Sequence, residues 1–150
     1  MMFRCQTTSF HNMGTPSGHL VGIGERLIRI PAGWSISQQS QVTLCWNDSL
    51  KGRIVLFYGG ERRLEDIPVE GLRTSFYGRV FMGHLEQGII KPSVIQRVIF
   101  RRKPHYRFEW VIQHDRFCIF AVYLAELDED RKDIETKIEK LLDALDVAAP

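Results

Sequence analysis

Residues 116–124, "RFCIFAVYL", carry an apolar side chain at every position from Phe117 to Leu124. In an extended chain successive side chains point to opposite faces, so Phe117, Ile119, Ala121 and Tyr123 share one face and Cys118, Phe120, Val122 and Leu124 the other. A strand that is apolar on both faces sits in the middle of a sheet and is covered above and below. If one helix covers one face, the second needs another layer, the N-terminal segment or a partner. A chain of 150 residues, 44% of them hydrophobic, suits one such core in one domain.

One cover is legible. Ile134, Ile138, Leu141, Leu142 and Leu145 form a single apolar stripe at helical spacing. Asp128, Glu129 and Asp130 precede it, where anions favour the positive end of a helix and an aspartate caps it. Strands supply the layer beneath. "ERLIRI" alternates, with Arg26, Ile28 and Ile30 together, and stops at Pro31 and Gly33. "QVTLCW" and "RIVLFY" flank the polar turn "NDSLKG" and read as a hairpin. "SVIQRVIF" follows later as a strand, and "HYRFEWVIQ" pairs with 116–124 across His114 and Asp115. Between these, Leu72, Phe76, Val80, His84 and Leu85 recur at helical spacing, which predicts one middle helix despite Gly78 and Gly83. The expected fold class is α+β: a twisted antiparallel sheet, a C-terminal amphipathic helix packed on one face, and one middle helix. Residues 1–18 are polar and small, ending in Gly14, Pro16 and Gly18, and are expected as a flexible N-terminal arm. Residues 19–150 are then a single domain.

The stretch 97–113, "RVIFRRKPHYRFEWVIQ", mixes cations with aromatic residues and raises nucleic-acid binding through Arg97, Arg101, Arg102, Lys103 and Arg107. The pleat argues against it. Tyr106, Phe108, Trp110 and Ile112 share one face and Arg107, Glu109, Val111 and Gln113 the other, whereas a stacking platform needs rings and cations on one exposed surface. Arg101, Arg102 and Lys103 fall in a connection beside Pro104, where charge is solvated. The total charge of +2 imposes no polyanionic partner, although it is unevenly spread: 16 Lys and Arg against 9 Asp and Glu in residues 1–124, and 4 against 9 in residues 125–150.

No constellation for chemistry stands out. His11, His19, His84, His105 and His114 lack metal-ligand spacing with a carboxylate. His114 and Asp115 are adjacent in a turn and point apart. Gly18, Gly22 and Gly24 precede a strand, whereas a phosphate cradle needs a helix N-terminus behind it. Glu65 and Asp66 form an isolated acidic pair, and no serine has a nucleophile-elbow setting. No catalytic residue, metal or cofactor is expected; a small enzyme without a recognisable motif, with His84 or His114 in a pocket, is an alternative. Cys5, Cys45 and Cys118 are odd in number and share no short spacing, which fits buried thiols in a reducing compartment. The opening residues lack the apolar core of a secretory signal and no stretch is long enough to span a bilayer, so a cytoplasmic location is expected.

At "LIRIPAGW", with Pro31, Gly33 and Trp34 as a Pro-x-Gly-Trp turn closing an opening strand, and in the C-terminal order of three strands and a helix, the chain resembles the PsbP-like superfamily, in particular its DcrB-like bacterial branch. The resemblance covers residues 20–147. The segment after the turn, residues 35–41, has no acidic residue, unlike the effector-chaperone members. What the resemblance implies is a non-enzymatic binder: an adaptor chaperone for secreted effectors of a type VI system, or an immunity protein that plugs a toxin. The expectation is therefore a cytoplasmic protein-binding domain whose partner is another protein or a second copy of itself. Trp46, Phe57, Trp110, Phe120 and Val122 are the candidate sheet-face residues for that contact.

Overall fold

A computed structural model describes residues 18–61, 72–76, 79–86, 89–92, 95–114 and 116–148. The expected arm up to residue 17, and with it Cys5 and His11, lies outside the described residues, as do Glu65, Asp66 and Asp115. Strands β1 (Gly18–Ile23) and β2 (Arg26–Pro31) form an antiparallel hairpin about Gly24 and Glu25. The chain then lays down β3 (Ser35–Gln38), β4 (Thr43–Trp46) and β5 (Ile54–Gly60), each antiparallel to the last. Strands β6 (Leu72–Phe76), β7 (Arg79–Glu86), β8 (Ile89–Pro92) and β9 (Gln96–Phe100) follow. The long pair β10 (Lys103–His114) and β11 (Phe117–Glu126) comes next, then helix α1 (Arg131–Asp143) and the short strand β12 (Asp146–Val147).

Two sheets result. Nine strands run β3-β4-β5-β11-β10-β8-β7-β6, with β9 also on β10, and three run β1-β2-β12. Strand β11 is interior as its composition requires, with β5 on one edge and β10 on the other. The outer edge of β10 is divided: residues 103–107 pair with β9, and Val111 and Ile112 pair with β8. Pro104 is tolerated in so long a strand because the ladder to β11 ends at His105↔Glu126, so no partner carbonyl waits for the missing N–H.

The core lies on one face of the large sheet. Phe117, Ile119, Ala121 and Tyr123 of β11, Phe108, Trp110 and Ile112 of β10, and Ile54 and Leu56 of β5 meet the buried stripe Ile134, Ile138, Leu141 and Leu142 of α1. The small sheet completes that layer with Val21, Ile23, Ile28 and Ile30. Phe108 and Trp110 stack at 5.7 Å and 13°. Trp110 Nε1 donates to Glu139 Oε2 at 3.2 Å, and Lys91 Nζ meets Glu139 Oε1 at 2.8 Å, so the indole N–H and the carboxylate under the helix have partners. Asp130 caps α1, its side chain accepting from Lys132 N at 2.9 Å and Asp133 N at 3.3 Å. The small sheet is seated by its turn. Gly24, at φ +62°, lies so close to the ring of Tyr58 that an added Cβ would be 2.6 Å from Cδ1 and 2.7 Å from Cδ2. Beside it Arg26 Nη2 meets Glu61 Oε1 at 2.6 Å, its guanidinium lies 4.6 Å from the Phe117 ring, and the Tyr58 hydroxyl donates to Glu61.

Among the described residues strands stand where a middle helix is expected. Leu72–Phe76 and Arg79–Glu86 are antiparallel strands, paired from Leu72↔Gly83 to Phe76↔Arg79. Leu72, Phe76, Val80 and His84 recur every four residues, a spacing that fits the helical repeat and is also a multiple of the strand repeat of two. Thr74, Val80 and Phe81 favour the pleated form, and Gly78 and Gly83 disfavour the helix, so the ambiguity resolves toward strands.

Candidate interaction surface

The opposite face of the large sheet carries the other half of β11. Register places Phe57, Phe120 and Val111 side by side on β5, β11 and β10, with Leu44, Val55, Val122 and Glu109 in the next row along. Phe57 and Phe120 meet edge to face at 5.1 Å and 89°. Phe120, at 1% exposure, and the buried Val111 and Cys118 form the floor of this surface. Leu44, Trp46, Val55, Phe57, Val122 and Leu124 are half-buried and form its accessible part. Arg53 lies 4.2 Å from the Trp46 ring, an attraction between a cation and a ring face. Arg107 Nε sits 3.0 Å from Glu109 Oε1 as a charge pair, out of line for a hydrogen bond. Gln113 closes one end, donating from Nε2 to the carbonyls of His114 and Phe117 and accepting from Cys118 Sγ. Among the described residues, α1 and the small sheet both pack on the other face.

Four of the five candidate contact residues, Trp46, Phe57, Phe120 and Val122, share this helix-free face. Trp110 does not: it shares parity with Phe108, is fully buried under α1, and is corrected to a core residue. Phe120 is a support for Phe57 more than a contact in its own right.

The β9–β10 hairpin continues this end of the sheet. Arg101 and Arg102 form its two-residue turn, with φ of 51° and 67°. Both being left-handed, they occupy the positions that asparagine and glycine favour. Ile99 is 71% exposed and Phe100 43%. The Phe100 ring stands edge-on to His105 at 5.9 Å, under the Arg101 guanidinium at 5.2 Å. Behind the tip a cavity of about 470 Å³ is bordered by Phe100, Arg101, Lys103, His105, Lys51 and Glu126. The five cations of the nucleic-acid alternative do not converge. Arg107 is paired with Glu109 on the helix-free face, Arg97 is opposite Tyr106 on the helix side, and Arg101, Arg102 and Lys103 cluster at the tip. Tyr106 is covered by Arg131, whose guanidinium lies 4.8 Å from its ring. Sequence reasoning missed Ile99 and Phe100 as surface residues; the twin arginines after them, at a turn, were the available signal.

His114 stacks on Phe117 at 5.3 Å, away from the hairpin cavity, and burial holds its imidazole below the ordinary value while Asp146 partly opposes this. The His84 side chain lies outside the described residues. Among the described residues no cluster of three His, Cys, Asp or Glu could hold a metal ion. Cys45 and Cys118 are buried free thiols, and burial pushes that of Cys45 up to about 12. No helix among the described residues is long and apolar enough to cross a membrane. Comparison with protein-family models, curated proteins and solved structures found no match.

Proposed function

We propose that this chain is a non-enzymatic, cytoplasmic protein-binding domain that receives its partner on the helix-free face of the large sheet. The observation that carries this reading is the second apolar face of β11 and its neighbours, where Phe57, Val55, Val122, Leu44 and Trp46 are half-buried over a floor of Phe120 and Val111. A polar residue would satisfy an outer sheet face at less cost in solubility, so an apolar row at such positions is explained by a second occupant. Adaptor chaperone and toxin immunity, the roles implied by the PsbP-like resemblance, are the two forms of this activity that we favour. Both need a broad apolar surface and no reacting group. The occupant we put first is a different protein, presenting an apolar segment to Phe57 and Val122 and acidic side chains to Arg53.

Site-specific photo-crosslinking in the native cell tests this. A benzoylphenylalanine in place of Phe57 should yield a defined heteromeric adduct, and the same probe at Lys140, exposed on the outer side of α1, should not. An adduct of twice the chain mass would assign the face to a homodimer, and no adduct from either site would overturn the reading.

A further inference from the structure

We infer that β9 is an acceptor edge that takes up an extended acidic peptide segment as an added strand. This rests on the protein-binding reading above and specifies a mode and a partner chemistry for it.

Among the described residues β9 pairs with β10 alone. The two-residue turn makes Phe100 and Lys103 the closing, hydrogen-bonded pair, and the alternation of an antiparallel ladder then turns the N–H and C=O of Arg97 and Ile99 outward, away from β10. Such an edge is a template for a further strand, and proteins ordinarily blunt it with charge, shortness, proline, a bulge or a cover. Among the described residues β9 has no proline, bulge or cover, and Gln96, Arg97, Ile99 and Phe100 are all exposed; its one defence is cationic, which repels a like strand and admits an acidic one. Side chains therefore stand ready on both sides of an added strand, Ile99 and Arg97 on one and Phe100 on the other.

Charge selects the occupant. Among the described residues Arg97, Arg101, Arg102 and Lys103 have no ion-pair partner, and residues 96–103 contain no acid. Arg101 and Arg102 hold left-handed backbone that costs about 1–2 kcal/mol per non-glycine residue, so the turn carries cations where a stable hairpin favours asparagine and glycine. A second copy of β9 would bring the same cations alongside and is disfavoured. Insertion into a lipid surface would leave the outward N–H and C=O groups without partners. A polynucleotide would make no use of the backbone edge, and Phe100 is the only exposed ring in β9 and its turn. An alternating acidic and β-branched segment satisfies edge, apolar side chains and cations together.

The test uses a fluorescein-labelled peptide of alternating Glu and Val, titrated with the full chain and read by anisotropy at two salt concentrations. Binding should weaken at least fivefold from low to high salt, and at least tenfold when alternate peptide nitrogens are methylated, because methylation removes donors from one edge only. Ile99→Pro deletes an outward N–H and should have the same effect. The double variant R101N/R102G should bind at least fivefold more weakly while raising the unfolding midpoint, so its loss of binding is not a loss of fold. No binding of the peptide, or equal binding of its methylated form, overturns the proposal. So does a single-stranded oligonucleotide or a phosphatidylserine vesicle that binds at the tip while the peptide fails to compete. If the adduct from position 57 forms undiminished in both Ile99→Pro and R101N/R102G, the edge proposal fails and the sheet-face reading stands.

Discussion

Replacing Gly24 by alanine separates two costs that the structure places on one residue. At φ +62° a non-glycine residue is strained by about 1–2 kcal/mol, whatever lies nearby. The new Cβ would also meet the Tyr58 ring at 2.6 and 2.7 Å, and the resulting overpacking adds about 1–3 kcal/mol. Gly24→Ala should therefore destabilise by about 2–5 kcal/mol. In a Tyr58→Ala background the steric part disappears and only the backbone part remains, so the two substitutions should show a coupling of about 1–3 kcal/mol. Urea denaturation followed by tryptophan fluorescence measures this, provided the slope m is the same in all four proteins. Gly24→Asn in the wild-type background should fall between, since asparagine tolerates the left-handed region but still carries the Cβ. Equal costs of Gly24→Ala in both backgrounds would refute the seating of the small sheet on Tyr58.

Asp130→Ala removes the cap of α1 and should cost about 1 kcal/mol, lowering Tm by about 3 °C in a scanning-calorimetry trace. Burial depresses the His114 pKa below the ordinary 6.5, so the unfolded chain binds the proton first. Stability should fall as pH drops from 6.5 toward the folded-state value and level off below it, and His114→Phe should flatten that part of a stability-against-pH curve. Native protein treated with iodoacetamide should remain unmodified at Cys45 and Cys118 by peptide mass mapping, and both should react once the chain is unfolded in urea.

Features written in short-range alternation were legible in the sequence. The two-sided apolar run of β11 required an interior strand and the apolar stripe required a covered helix; both are present, with the stripe helical from Ile134 to Leu142 and Leu145 buried just past the helix end. The opposite faces of Tyr106 and Arg107 followed from parity alone, and the same parity sets Trp110 beside the buried Phe108, which the choice of Trp110 as a contact residue overlooked. What could not be read depends on pairings distant in sequence. Strand β12 is two residues long and finds β2 more than a hundred positions away. The exposure of Ile99 and Phe100 is decided by where β8 joins β10, and the twin arginines after them were its one local sign. Residues 72–86 failed for a different reason, since a recurrence of four serves two periodicities.

The divided edge of β10 has a mechanical consequence. Strands β8 and β9 hold separate stretches of one twelve-residue strand, so the sheet forks there, and each prong can open without breaking the hydrogen-bond ladder of the other. Amide exchange should be faster along β9 than in the β10–β11 trunk. A chain built this way keeps a rigid stem while one tine remains free to be remodelled.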